Sequence, residues 1–176
     1  MIIKGKLINL RIIKESDAES IYSQAKDKEI CEAVPLPMPY TLKSAENYIK
    51  ITKKKWKNKT EAQFGIEDKQ TKKIIGMIGL MDINFKLKKA EVGYWLGKKY
   101  WGQGIAKEAL KLIIKFAFSK LKLNRVYAKV CSRNIPSSEL LKKCDFKLEG
   151  RLRKDSLFKG KIDDDIIYGI LKEEYH

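Results

Sequence analysis

Residues 90–109, AEVGYWLGKKYWGQGIAKEA, restrict what this chain can fold into more than any other stretch. An apolar run carrying one acid, Glu91, reads as a strand, and Lys98 and Lys99 start a short basic loop. Gly102, Gly104 and Ala106 then place small residues at alternate positions. Leu110, Ile113, Ile114, Ala117, Phe118 and Leu121 recur at steps of three and four, the pattern of an amphipathic helix. A strand that turns through glycines into such a helix belongs to a mixed α/β sheet. With no side chain at Gly102 or Gly104, backbone amides can approach an anion closely. The helix start adds unpaired N–H groups and the positive end of its dipole. Amides converging in this way make a nest of the kind that holds a pyrophosphate.

Two common owners of glycine loops do not fit. A P-loop requires GK[ST] at the helix start, where this chain has Ala106, Lys107 and Glu108. A dinucleotide fingerprint, GxGxxG, would need its third glycine where Lys107 stands, and no carboxylate follows about twenty residues on.

The rest of the chain is punctuated regularly. Residues 7–12 alternate as a first strand. Ser16, with Glu19 three residues on, has the form of a capping box for a helix to about Ala25, and residues 28–34 read as a second short helix. Residues 34–41, VPLPMPYT, hold three of the four prolines and must be non-helical. Thr41 then caps a helix to about Trp56, with Ala45, Tyr48, Ile49 and Trp56 facing inward. Residues 63–67, 74–83 and 90–96, joined by short polar turns, predict an antiparallel meander. A strand at 125–131, a helix at 135–143 and strands at 146–152 and 164–171 complete the order. The expectation is an α/β fold of the α+β type. It has one domain over residues 1–176, with a mixed, mostly antiparallel sheet of six or seven strands flanked by about four helices.

Composition removes several classes of chemistry. His176 is the only histidine, which leaves no Ser-His-Asp, Cys-His or His-metal mechanism. Cys31, Cys131 and Cys144 are scattered and form no CxxC pair, so neither a disulfide framework nor a metal site is expected. The longest apolar run, residues 74–81, contains two glycines and falls far short of the ~20 residues that span a bilayer. Lys4, Lys6 and Asn9 break the N-terminal apolar stretch, so a cytoplasmic protein with no membrane partner is expected. The formal net charge of +16 attracts anions, whether nucleic acid, anionic lipid or a polyphosphate. Only five of the 38 basic residues are arginine, which base readers and bidentate phosphate clamps favour, so the charge also reads as compositional bias. The basic run at 50–60, KITKKKWKNKT, reads either as an RNA-docking face or as a solvated helix face.

With these residues in order, the chain resembles the GNAT superfamily of acyl-CoA-dependent N-acetyltransferases, and within it the RimJ/RimL-like ribosomal-protein acetyltransferases. The likeness rests on LINLRIIKESDAESIY, the proline loop before Tyr40 and Thr41, the 90–110 segment, NIPSSELLKKCDFKLEGRLR and DDDIIYGILKEE. It covers nearly the whole chain. The resemblance implies a splayed central strand pair, in which the strand ending Tyr94, Trp95 and Leu96 diverges from that at 126–130. The pantetheine arm of acetyl-CoA would lie in the gap. The superfamily's phosphate loop is Q/R-x-x-G-x-G/A; Gly104 and Ala106 match, and Trp101 stands in place of Gln or Arg. Amides from Trp101, Gly102, Gln103, Gly104, Ile105 and Ala106 are thereby expected to hold the CoA pyrophosphate. Asn134 and Ser137 match an N-x-x-S pattern that places Asn134 beside the pantetheine and Ser137 at its thiol end. The tyrosine that often protonates the departing thiolate is Leu141 here, which leaves Ser137 as the candidate acid. Asn134 and Ser137 also read simply as helix-cap residues. Asp145 replaces the usual glycine before Phe146.

Acetyl transfer to an amine needs a neutral nucleophile, a polarised thioester carbonyl and a protonated leaving thiol. Glu91 is the candidate base, because desolvation in an apolar strand raises a carboxyl pKa; it also reads as an ordinary residue on a solvated strand face. Strand amides near Trp95 would polarise the carbonyl, and Tyr40 would line the acceptor side. Deprotonating an α-amino group near pKa 8 at pH 7 costs about 1.4 kcal/mol, against about 4.6 kcal/mol for a lysine-like amine. That difference favours an N-terminal α-amino acceptor, of the ribosomal-protein type, attacked directly in a ternary complex. The positive charge counts against polyamine or aminoglycoside acceptors unless Glu91, Glu29 and Glu32 form a local acidic pocket. A small-molecule amine, or a non-enzymatic RNA- or ribosome-binding role on the same fold, remains open at this point.

Overall fold

The computed structural model describes residues 1–34 and 36–175; Pro35, inside the proline loop, and His176 lie outside the described residues. Strands β1 (Ile2–Lys4) and β2 (Ile8–Arg11) open the chain as a hairpin. One 3₁₀ turn at Glu15–Asp17 leads into helices α1 (Ala18–Ala25), α2 (Lys28–Ala33) and α3 (Leu42–Lys57). Strands β3 (Ala62–Asp68), β4 (Ile74–Asn84) and β5 (Lys89–Leu96) form the antiparallel meander that their short turns predict. Helix α4 (Ile105–Ser119), strand β6 (Arg125–Cys131) and helix α5 (Ile135–Lys142) follow. The hairpin of β7 (Lys147–Phe158) and β8 (Lys161–Leu171) closes the fold.

The eight strands belong to one sheet, in the order β1-β2-β3-β4-β5-β6-β8-β7. Neighbours run antiparallel except β5 and β6, which are parallel. Helix α4 supplies the long crossover that a parallel neighbour requires. The sheet has one strand more than the six or seven expected, and five α-helices stand among the described residues instead of about four. The additional strand, β1, is three exposed or half-buried residues at the sheet edge, too short for its alternation to be read. The closing strands run past the limits read from the sequence because cross-strand pairing holds their exposed ends. Ser156 pairs with Asp163, Leu157 with Ile162 and Phe158 with Lys161.

Each face of the sheet buries its own core. On one face α4 packs over β2, β4 and β6, with Leu110, Ile113 and Ala117 clustered with Phe64, Ile78 and Val126. On the other, α1 packs on α3 and β4 through Ile21, Ala25, Ala45 and Ile49, with Met77. Thr41 caps α3 as expected, its hydroxyl accepting from the Ser44 amide at 3.1 Å. Ser16 and Glu19 do not form the expected capping box at α1. Asp17 instead closes the 3₁₀ turn before α1, accepting from the Lys14 amide at 2.7 Å. Arg11 draws it inward, for Nη1 and Nη2 each donate to one carboxylate oxygen at 2.8 Å. The Arg11 Nε donates to Glu67 on β3.

This triad ties β2, β3 and the start of α1 together with side chains that are only about a tenth exposed. Burial opposes ionisation of Asp17 and Glu67, but the hydrogen bonds and charge of Arg11 outweigh it, so both carboxyls titrate below their usual range. Removing Arg11 would strand two buried carboxylates. Arg11→Ala is expected to lose about 3 kcal/mol of stability at pH 7, measured by urea unfolding. Depressed carboxyl pKa values contribute stability above the ordinary carboxylate range and lose it as pH falls through the lowered values. The gap between wild type and variant therefore narrows in acid.

Candidate active site

Strands β5 and β6 pair only briefly. Lys89, Ala90 and Glu91 lie against Arg125, Val126 and Tyr127, and beyond Glu91 the two strands part. On its other side β5 stays paired with β4 as far as Leu96. The Gly97 amide donates to Ile75 O at 2.8 Å, which fixes the alternation along β5. Glu91, Gly93 and Trp95 turn their backbone polar groups to β4, and Val92, Tyr94 and Leu96 turn theirs to the opening. Unpaired strand amides therefore line one wall of the gap.

At the end of β5 the chain passes through a 3₁₀ turn (Lys98–Tyr100) into the glycine loop. The Trp101 indole N–H donates to Leu96 O at 2.7 Å and Gln103 Nε2 donates to Lys99 O at 2.9 Å, which folds the loop back on the strand. Gly102 and Gly104 have φ of 75° and 77°, the left-handed region where a Cβ is costly, and nothing stands within 4 Å of where a Cβ would be. Among the described residues, none accepts a hydrogen bond from the amides of residues 102–107. Six successive N–H groups at the start of α4 are thus left without a protein partner among the described residues. The carboxylate of Glu108, in the first turn of α4, accepts from the Leu7 amide at 2.9 Å and fixes the helix start against the β1–β2 turn.

A cleft of about 740 Å³ opens where β5 and β6 separate. Glu91 and Tyr94 of β5, Lys129 and Cys131 of β6, and Asn134 and Ser137 at the start of α5 line it. Its rim is formed by α2 with the loop that follows, through Glu32, Leu36 and Met38, and by the β7–β8 hairpin tip around Lys159. The Lys159 amide donates to Glu32 O at 3.2 Å and joins these two sides. Glu91 sits at the vertex of the splay. Burial pushes its carboxyl above the usual range; the positive charge of Lys129 opposes this, and the negative charges of Asp82 and Asp165 add to it. Asn134 caps α5, its Oδ1 accepting from the Ser137 amide at 3.3 Å, and the Tyr94 hydroxyl donates to Ser137 O at 3.5 Å. Burial raises the Tyr94 phenol to about 12.

A parallel strand pair that opens, followed by a glycine loop with unpartnered amides at a helix start, matches what the sequence resemblance implies, and direct comparison decides the family. The family model for the acetyltransferase (GNAT) domain matches residues 8–147. The chain belongs to the GNAT acetyltransferase family. It is 33% identical over 169 residues to the uncharacterized N-acetyltransferase p20 of Bacillus licheniformis, with 96% of this chain and 94% of that protein covered. It is 25% identical over 168 residues to a spermidine N(1)-acetyltransferase of Vibrio cholerae, with 96% and 95% covered. The solved ribosomal-protein-S5-alanine acetyltransferase from Vibrio fischeri superposes with a TM-score of 0.88 over 100% of this chain and 99% of that one. At 24% identity that likeness speaks to the fold alone. The GNAT chain described here is an acetyl-CoA-dependent N-acetyltransferase.

Within this GNAT fold, Glu91, Tyr94, Asn134 and Ser137 line the cleft, while Gly102, Gln103 and Gly104 form the loop that leads into α4 at Ile105 and Ala106. The Trp101 amide, expected to face the pyrophosphate, instead closes the 3₁₀ turn by donating to Lys98 O at 3.2 Å. Trp95 is different: its amide is turned to β4, and the amides facing the opening belong to Tyr94 and Leu96. Tyr40 does not line the cleft. It is 7% exposed in the second core, and burial raises its phenol to about 12. Glu32 borders the cleft as the acidic-pocket expectation required, whereas Glu29 is held outside it by Lys98 at 2.5 Å. Leu141, at the position of the absent tyrosine, is fully buried in the α4-side core. The sequence reading missed Lys129, Cys131 and Asp165. Their signal was strand alternation: Cys131 pairs with Asp165, so the two share a face, and Lys129 shares it two residues earlier on β6. The basic run of α3 is partly neutralised, with Lys53 on Glu15 at 2.8 Å and Lys55 on Glu61 at 2.5 Å. Among the described residues, no group of three or more His, Cys, Asp or Glu side chains is placed to hold a metal ion, and no helix is long and apolar enough to cross a membrane.

Two measurements check this electrostatic and backbone picture. A carboxyl whose folded pKa is raised stabilises fully below its unfolded value and loses that contribution as pH climbs through the folded value. Glu91→Gln should therefore raise the thermal midpoint at pH 8 by roughly a degree or two, the half-exposed charge being screened, and leave it unchanged at pH 4. Gly104→Ala should cost about 1 kcal/mol in urea unfolding from the left-handed φ alone.

Proposed function

We propose that this enzyme acetylates an α-amino group at the N-terminus of a peptide or protein, with Glu91 as the proton acceptor and Ser137 as the proton donor. The observation that carries the reading is the position of Glu91, a half-buried acid with a raised pKa at the vertex where β5 and β6 part. In this reading the amides of residues 102–107 hold the pyrophosphate of CoA, and the outward amides of β5 beside Asn134 hold the pantetheine. The neutral amine nitrogen attacks the thioester carbonyl carbon; the C–N bond forms and the C–S bond breaks. Glu91, directly or through water, takes the proton that the ammonium must lose. The Ser137 hydroxyl passes a proton to the departing sulfur and takes up in its place, through water, the second proton that the nitrogen sheds as the amide forms. A carboxylate whose pKa burial has raised can manage the ~1 pKa unit that separates an α-amine from neutral pH. It serves a lysine-like amine far less well.

Binding and chemistry are tested separately. Acetyl-CoA at 100 times its Kd should stabilise the protein by about 2.7 kcal/mol, a rise of roughly 5 °C or more in Tm, and Gly104→Trp should abolish the shift. Absence of any shift in the wild type would remove the glycine loop as the donor site. Glu91→Gln should lower kcat/KM and flatten the acid limb of the pH profile; an unchanged limb would eliminate Glu91 as the base. Acetyl transfer measured by mass spectrometry on N-terminal peptides, polyamines and aminoglycosides names the acceptor. Transfer confined to aminoglycosides or polyamines would overturn the α-amino reading.

A further inference from the structure

A buried carboxylate in the cleft has no use in the reading above. Asp165 is 8% exposed, borders the cleft, and among the described residues has neither a hydrogen-bond donor nor an ion-pair partner. Its neighbours on β8 are engaged. Asp163 accepts from the Cys131 thiol at 2.7 Å and the Ser132 hydroxyl at 2.9 Å and pairs with Arg133 at 3.1 Å; Asp164 accepts from Arg151 at 2.6 Å and from the Lys154 amide at 2.8 Å. Lys129, which shares the Asp165 face, is paired with Asp155 at 3.7 Å, and the remaining cleft cation, Lys159, stands on the rim. Its carboxylate oxygens are not among the enclosed side-chain atoms left without a partner, so the group opens on the cleft with no cation set against it. The chain as a whole, at +16, repels cations, so any attraction for one must come from charges within about a Debye length, ~8 Å. Asp165 and Glu91 line the same cleft and supply two such charges at separate points. Asp165 pairs with Cys131, four residues along β6 from Tyr127, the partner of Glu91, or roughly 13 Å of strand.

We propose that Asp165 is a specificity-determining residue that anchors a second cationic group on the acceptor, so that the cleft prefers dicationic amines to monocations. This rests on Glu91 being the proton acceptor, as proposed above, which brings the acceptor amine into the cleft that Glu91 and Asp165 share. The recognised chemistry is an ammonium or guanidinium held several ångströms from the reacting amine. A diamine carries one, and so does a peptide whose N-terminal residues include a basic side chain.

The test uses the full chain, Asp165→Asn and Asp165→Glu, with calorimetric binding of hexamethylenediamine and of hexylamine, its monocationic counterpart. The wild type should bind the diamine at least tenfold more tightly, a charge-assisted contact being worth about that much. Asp165→Asn should bring the two amines within threefold of each other, and Asp165→Glu should restore most of the preference. No preference in the wild type, or the same preference in Asp165→Asn, overturns the proposal. Thermal unfolding gives a second readout: Asp165→Asn should be at least as stable as wild type. A fall of several degrees would show that Asp165 holds the fold together, and would also overturn it. Transfer kinetics on two otherwise identical peptides, with lysine or norleucine after the N-terminal residue, separate a peptide source from a diamine source. Asp165→Asn should raise KM tenfold for the lysine peptide and leave kcat within twofold. If no peptide is acetylated while the diamine preference and its loss both hold, the α-amino reading fails and the role of Asp165 stands.

Discussion

The loss of pairing between β5 and β6 beyond Glu91 and Tyr127 is the constraint on which the rest of this molecule depends. A sheet that stayed closed would satisfy the outward amides of β5 with β6 carbonyls and leave no room for a ligand. Opening it exposes backbone that something else must occupy, and it leaves Glu91 half-buried at the point of divergence. The opening is held from both sides. Strand β5 cannot follow β6 because β4 pairs with it as far as Leu96, and β6 cannot follow β5 because β8 pairs with it along its whole length. Each strand is therefore claimed by its outer neighbour. The Trp101 indole, bound to the carbonyl of Leu96, satisfies one of the groups that the opening exposes and turns the chain toward α4.

Most of this was legible in the sequence, for identifiable reasons. The meander of β3, β4 and β5 and the helix after the glycine loop carry long apolar patterns with clear punctuation, and a pattern of that length leaves few alternatives. Glu91 stood out because it interrupts an apolar strand. Asn134 and Ser137, singled out by resemblance, line the cleft, and the contact between them is itself an ordinary helix cap at 3.3 Å. The elements that were missed or shortened have weak local signals. Strand β1 is three residues long, and the outer half of the β7–β8 hairpin is exposed and held by its own register. The start of α1 was misread because Ser16 has the right local form, whereas Asp17 is fixed by Arg11, a partner whose importance comes from burial.

Tyr40 shows the limit of position along the chain as a guide. It follows a proline loop that does border the cleft through Leu36 and Met38, yet its ring turns into the core under α3. Asp165 shows the converse. In a run of three aspartates nothing local distinguishes it, and only the register of β8 against β6 gives it a different environment from Asp164. In both cases what separated the residues was which side of a sheet or loop each one faces, a property set by partners far away in sequence.

The hydrogen bond from the Lys159 amide to Glu32 O has a consequence for the shape of whatever reaches Glu91. It joins the tip of the last hairpin to the second helix, two parts of the chain far apart in sequence. Where the two meet, the trench becomes an arch. A slender chain end can be threaded under an arch, whereas a side chain rooted in a broad folded surface brings that surface up against it. Selection for free ends over internal groups can in this way follow from connectivity, before any contact with the reacting atom is made.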